Sequence, residues 1–217
     1  MIKAILFGSI GTLIETSELQ RKSFNEAFKE AGLDWYWDET DYKNLLQNSG
    51  GTKRIENFAQ KNNSTVDALS LRLRKTELFN KYLIDGNFKP REGVLDIMNY
   101  VKKNGLKLGF VTSTTTDNIN SVFMALNKFI HKSSFDFIGN NNLIDKPKPA
   151  SEIYHKALES LFLDASECIA IEDTEESVKS AVDANIKCVA FPGNFHKLDS
   201  FSRCEIKLNK LDLSIFN

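Results

Sequence analysis

Ile2-Lys3-Ala4-Ile5-Leu6-Phe7-Gly8-Ser9-Ile10-Gly11-Thr12-Leu13 is the stretch whose reading decides the fold. Ala4 to Phe7 form a short apolar run ending in a Gly-x-x-Gly turn, the pattern of a buried strand breaking into a loop. In an open α/β sheet ligands bind outside the carboxyl ends of the strands. Gly8 to Gly11 therefore marks one edge of a crevice.

Outward from this strand, Leu19, Phe24, Ala27 and Phe28 recur at helical spacing between Thr16 and Leu33, with Gly32 as a natural stop. The segment from Asp34 to Asp85 carries Trp35-Tyr36-Trp37, a Gly50-Gly51 break and a long pattern through Val66, Leu69, Leu73, Leu78 and Tyr82. It contains no convincing strand and reads as an all-helical block. Past Asp85-Gly86-Asn87 and Pro90 the rhythm changes: helix Val94 to Val101, strand Leu106 to Val111, helix Asn118 to Leu126. Short strands follow at Phe135 to Ile138, Cys168 to Ile171 and Cys188 to Phe191, with helices at Ser151 to Leu161 and Glu176 to Ala184 between them. Such alternation predicts a parallel sheet covered on both faces. The expected fold is α/β, a doubly wound core of residues 1–14 and 87–217 with an inserted helical cap of residues 15–86.

A hydrophobic content of 41% over 217 residues suffices for a proper core. With 28 basic and 29 acidic residues the net charge is −1, which offers no field for nucleic acid or an anionic membrane. No stretch approaches the roughly 20 apolar residues of a membrane helix, and no signal-peptide pattern precedes the first strand. A cytoplasmic monomer with a small-molecule or protein partner is expected. Cys168, Cys188 and Cys204 lack metal-ligand spacing and read as ordinary thiols. Trp35 to Trp37, without basic flanks, reads as a staple packing the cap onto the core.

Four stretches fall at predicted strand ends: the Gly8 loop, Thr112-Ser113-Thr114, Lys146-Pro-Lys148-Pro-Ala-Ser-Glu-Ile-Tyr154, and Glu172-Asp173. Hydroxyls and backbone N–H groups there can donate to phosphate oxygens, Lys148 can neutralise phosphate charge, and Glu172 and Asp173 offer hard oxygen ligands for Mg²⁺. Each alone is more often a turn, a helix cap or a dipole partner. Their shared placement argues for a phosphate site.

In these four stretches the chain resembles the haloacid dehalogenase superfamily, and most closely its CbbY-type sugar-phosphate phosphatases, relatives of β-phosphoglucomutase. Thr16-x-Glu18-Leu19, Asp34-Trp-Tyr-Trp-Asp38 and Gly50-Gly51-Thr-Lys53-Arg54 look like the CbbY branch in particular. The resemblance implies a sugar-phosphate substrate such as xylulose 1,5-bisphosphate, with Thr112, Ser113, Thr114 and Thr16 as substrate contacts. It further implies Lys148 as the catalytic-site lysine, Glu172 and Asp173 as Mg²⁺ ligands, and Lys53 and Arg54 as contacts to a remote phosphate.

The departure lies in the opening stretch. Family members carry Asp-x-Asp-Gly-Thr-Leu, in which the first aspartate attacks phosphorus and binds Mg²⁺ while the second serves as acid and base. Here those positions are Gly8 and Ile10, and Gln20 stands where the mutase relatives have histidine. Loss of a covalent nucleophile costs on the order of a million-fold in kcat in a well-dissected hydrolase. Strand alternation turns the neighbouring Ser9 away from the space Gly8 leaves, and metal affinity is expected to fall with the lost carboxylate. Three readings stay open: a silent or weak sugar-phosphate binder, a phosphatase with an unorthodox nucleophile or a metal-activated water, and an interaction protein built on the scaffold.

Overall fold

The fold is described from a computed structural model for residues 1–46 and 50–216. The chain divides into two compact units, Met1–Glu15 with Asn87–Asn217, and Thr16–Gly86.

The first unit is built on a six-stranded, all-parallel sheet. Its strands are β1 (Ala4–Phe7), β2 (Lys107–Phe110), β3 (Phe137–Ile138), β4 (Cys168–Glu172), β5 (Lys187–Ala190) and β6 (Ile206–Lys207), in the spatial order β3-β2-β1-β4-β5-β6. The expected doubly wound sheet is thus what the chain forms, with β6 a short edge strand that apolar patterning did not mark. The chain runs outward from β1 to β2 and β3, then returns to the other side of β1 to place β4. The direction of winding reverses between β1 and β4, and at such a switch point the loops diverge and leave a crevice. Phe7 pairs with Ile171, so Gly8 and Glu172 come next at that crevice.

Alternation along the strands assigns the faces. Ala4, Leu6, Cys168, Ala170 and Ala190 pack in one cluster with Ile153, Tyr154, Ala157 and Leu161 of the helix Glu152–Leu161 and with Val178 and Ala181 of the helix Glu175–Asp183. Ile5, Phe7, Phe110, Ile169 and Ile171 point the other way and are also fully buried. Burial on both sides explains why the strands read as unbroken apolar runs. The Gly8 stretch itself turns directly into a one-turn helix, Ile10–Leu13, where the sequence suggested only a loop.

That turn is anchored by Arg91. Its guanidinium donates to the carbonyls of Gly11 (2.7 Å), Phe191 (2.9 Å) and Pro192 (2.6 Å), its backbone N–H donates to the Leu13 carbonyl (2.9 Å), and its plane lies 3.4 Å from the Phe191 ring centroid. One side chain therefore ties the loop after β1 to the loop after β5.

The second unit is helical throughout its described residues: Ser17–Glu30, Glu39–Leu45, Gly51–Lys61 and Ala68–Asp85. Trp35 and Trp37 pack against Phe24, Phe28, Tyr42 and Phe58, with ring centroids 4.7 to 5.9 Å apart. The aromatic cluster is thus the helical unit's own core, where the sequence suggested a staple onto the other domain. In Ala68–Asp85 the buried stripe runs through Leu71, Lys75, Leu78, Phe79 and Leu83. The expected stripe lay partly on the wrong face: Leu69 and Leu73 are 60% and 56% exposed. The lysine at position 75 disguised the true periodicity.

Replacing Arg91 with methionine deprives the Gly11, Phe191 and Pro192 carbonyls of this donor. The Arg91→Met protein is expected to lose about 2–4 kcal/mol of stability in urea unfolding, and a loss under about 0.5 kcal/mol would show that the anchor is dispensable.

Candidate active site

At the switch point, position 8 is bare and its space is taken. Paired residues on adjacent parallel strands project to the same face, so a side chain at position 8 would lie alongside that of Glu172. A Cβ built on Gly8 overlaps the Glu172 carboxyl group, and Glu172 is fully buried. It is fixed there by a donation from Lys148 Nζ to Oε1 (2.5 Å) and another from the Tyr154 hydroxyl to the same oxygen (2.6 Å). Lys148 also donates to the Gly8 carbonyl at 2.5 Å and lies 4.9 Å from the Tyr154 ring centroid. Only a residue without Cβ leaves room for this arrangement. Gly11 serves the same purpose in the turn that follows, since a Cβ there overlaps the Asp173 carboxylate.

The electrostatics follow from burial. Desolvation raises the pKa of Glu172 above the usual carboxylate range, opposed by Lys148 and reinforced by Asp173. The Tyr154 phenol is pushed well above its ordinary value, first by burial and then by the Glu172 charge. Among the described residues Glu172 Oε2 is buried with no hydrogen-bond partner, the cost of folding the carboxyl into the gap over Gly8.

The remaining predicted residues fall into two groups. Thr112 is buried at the end of β2, and its Oγ1 accepts from the Thr114 N–H at 3.3 Å. Thr114 Oγ1 accepts from Asn118 Nδ2 at 2.7 Å, and Ser113 is half-buried beside it. These belong to the same unit as Gly8, Lys148, Glu172 and Asp173, as does the half-buried Ile10. Ser9 joins them directly, because its hydroxyl donates to Asp173 Oδ1 at 2.6 Å. In register terms Ser9 follows Gly8 as Asp173 follows Glu172, so turning away from Gly8 brings it to the second acid.

Thr16, Lys53 and Arg54 belong to the helical unit. Thr16 is buried at the start of the helix Ser17–Glu30, where its carbonyl accepts from Gln20 N–H. Lys53 is largely exposed and 3.6 Å from Glu56. Arg54 is buried, donating to the Leu45 carbonyl at 2.9 Å and lying over the Phe24 and Tyr42 rings. Sequence reasoning missed its company. Lys75 is buried over the Phe24 and Phe79 rings with Nζ donating to Gln20 Oε1, and burial first, then the nearby Arg72 and Arg54 charges, disfavours its protonated form. A lysine on the apolar face of a helix was the available signal.

The expected Mg²⁺ site does not fit these donors. Magnesium requires a near-octahedral set of oxygens, whereas position 8 supplies no carboxylate and Lys148 occupies both the Gly8 carbonyl and Glu172 Oε1. Asp173 Oδ1 is engaged by Ser9. Among the described residues no three His, Cys, Asp or Glu side chains gather as a metal-binding group.

Gly8→Ala forces a methyl group against the Glu172 carboxyl and is expected to cost about 1–3 kcal/mol. In a Glu172→Ala background the same change should cost almost nothing. Additive costs across that double-mutant cycle would mean that Glu172 does not fill the Gly8 gap.

Comparison with known proteins identifies the family. The haloacid dehalogenase-like hydrolase family matches residues 5–191. Protein CbbY of Cereibacter sphaeroides is 32% identical over 205 residues, covering 93% of this chain and 89% of that protein. Protein CbbY of Rhodobacter capsulatus is 32% identical over 214 residues, covering 97% and 94%. Among solved structures, a point mutant of CbbY from Rhodobacter sphaeroides in complex with xylulose-(1,5)bisphosphate superposes with a TM-score of 0.85 at 30% identity, over 97% of this chain and 95% of that one. With its parallel sheet, its switch point at Gly8 and Glu172, and these relatives, the chain belongs to the haloacid dehalogenase-like hydrolase family, close to the CbbY proteins.

Proposed function

We propose that this chain binds a phosphorylated sugar and turns it over very slowly or not at all. The observation that carries the reading is the filled gap at position 8: the residue that the resemblance puts at the family's nucleophile position has no side chain, and Glu172 occupies its space. A buried carboxylate locked by a lysine and a tyrosine is a poor attacker, and Ile10 has no proton to exchange. The phosphate-handling residues Thr112, Ser113, Thr114 and Lys148 remain in the first unit. In the helical unit Lys53, Arg54, Arg72 and Lys75 supply positive charge suited to a second phosphate. The CbbY structure holding xylulose-(1,5)bisphosphate supports a bisphosphate of that kind as the ligand.

The alternative of residual catalysis has one observation in its favour, the Ser9 hydroxyl donating to Asp173 at 2.6 Å. A hydroxyl paired with a carboxylate is the beginning of an activated nucleophile. The test incubates the purified protein with a panel of sugar phosphates and follows both released phosphate and the melting temperature. Stabilisation without turnover is the expected result. Turnover near 1 s⁻¹ or faster, the lower end of the usual enzyme range of about 1 to 10³ s⁻¹, would overturn the silent reading, and Ser9→Ala would then have to abolish it. The absence of any thermal shift with sugar phosphates would favour the interaction-protein alternative.

Lys75 gives a second, independent measurement. Burial first, and then Arg72 and Arg54, lower its pKa well below the ordinary 10.5. The unfolded chain therefore binds more protons between the depressed value and 10.5, so this group's penalty is full below that window and disappears as pH rises through it. Lys75→Met should raise the melting temperature at neutral pH, lose that advantage towards pH 10.5, and weaken sugar-phosphate binding. A lower melting temperature at neutral pH would contradict the assignment.

A further inference from the structure

The family resemblance implies four carboxylates at positions 8, 10, 172 and 173 beside one lysine in a member with both aspartates, where a divalent cation would offset two of the three surplus negative charges. Here Gly8 and Ile10 remove two of those carboxylates. Glu172 and Asp173 against Lys148 leave one surplus negative charge before any metal is bound. The two lost charges equal the charge of the ion. The geometry is consistent with that count. Lys148 Nζ donates to both the Gly8 carbonyl and Glu172 Oε1, so both oxygens at the switch point already hold a cationic partner. Its side chain is only 8% exposed and that of Glu172 is fully buried, so the ammonium is in a fixed place and its attraction is little screened.

We propose that in this chain the Lys148 ammonium has taken over the place and the charge role of the divalent cation, with Glu172 folded over Gly8 as its counter-ion, so that the site functions without a divalent metal. The proposal does not depend on the sugar-phosphate reading, because it concerns the unliganded protein. It has a specific corollary. A divalent ion fails to bind because Lys148 already holds the oxygens, so removing the ammonium should create a metal site instead of merely weakening an existing one. Glu172 and Asp173 would then be two adjacent carboxylates without a cation, and a hard divalent ion would relieve their repulsion.

The experiment uses Mn²⁺, which suits the same oxygen ligands as Mg²⁺, and follows the solution electron paramagnetic resonance signal of the free ion as the purified 217-residue protein is added. Wild type is expected to leave the signal unchanged at submillimolar metal. Lys148→Met is expected to quench it, with an affinity at least about tenfold tighter, and to melt at a higher temperature in Mg²⁺ than in chelator. Submillimolar Mn²⁺ binding by wild type that is lost in Asp173→Asn would overturn the proposal, and so would a folded Lys148→Met that binds no more Mn²⁺ than wild type. Should Lys148→Met not fold, Gly8→Asp decides. The new carboxylate must displace Glu172 from its gap, so Mn²⁺ binding and Mg²⁺-dependent melting should appear, and their absence would count against the proposal. A sugar-phosphate thermal shift measured in chelator keeps the two questions apart: failure of ligand binding leaves the Mn²⁺ result standing.

Discussion

The placement of one carboxyl group organises this site. Glu172 follows the last paired residues of β1 and β4, at the point where the direction of winding reverses, and its side chain folds back over a residue with no side chain of its own. Everything nearby answers to that burial. Lys148 reaches across from the loop before the helix Glu152–Leu161 to neutralise the charge, Tyr154 turns its hydroxyl inward from that helix, and the Gly8 carbonyl accepts a further hydrogen bond from the ammonium. A buried ion pair of this type is weak evidence for stability, because desolvation opposes the attraction, but it is strongly directional. Its effect is to hold the loop after β1 and the lysine loop in one arrangement.

The fold was largely legible because each core strand is buried on both faces and therefore appears as an apolar run. Ala4 to Phe7 and Cys168 to Ile171 needed no further context. The residues that meet at Gly8 were legible one by one, since the lysine and the acidic pair follow strand ends. Their pairings were not legible. That Glu172 fills the gap at Gly8 depends on strand register, which places position 172 beside position 8 and not beside position 9. The Ser9 contact with Asp173 has the same origin. Tyr154 lay within a quoted motif, but its role depends on which face of its helix meets the sheet. In the helical unit, Lys75 hid the apolar stripe because a charged residue in a buried position runs against the pattern that reveals helices.

The two units differ in how they accommodate charge. In the first, a buried acid is matched by a buried base, and the loops around them are held by carbonyl contacts such as those of Arg91. In the second, Lys75 lies over aromatic rings with an amide oxygen as acceptor, and burial first, then the Arg72 and Arg54 charges, lowers its basicity; burial and the Arg54 charge lower that of Arg72. Rings and carbonyls can support a cation, but less well than a carboxylate. The helical unit therefore gives up stability to hold positive charge in a buried position.

The aromatic cluster of the helical unit has a practical consequence. The chain has two tryptophans, Trp35 and Trp37, and both lie in that cluster within Thr16–Gly86. The sheet-bearing unit has none. Intrinsic indole emission excited at long wavelength therefore reports on one unit only, while a backbone signal reports on both. Divergence between the two signals during unfolding would resolve the order in which the units come apart, without a label or a substitution.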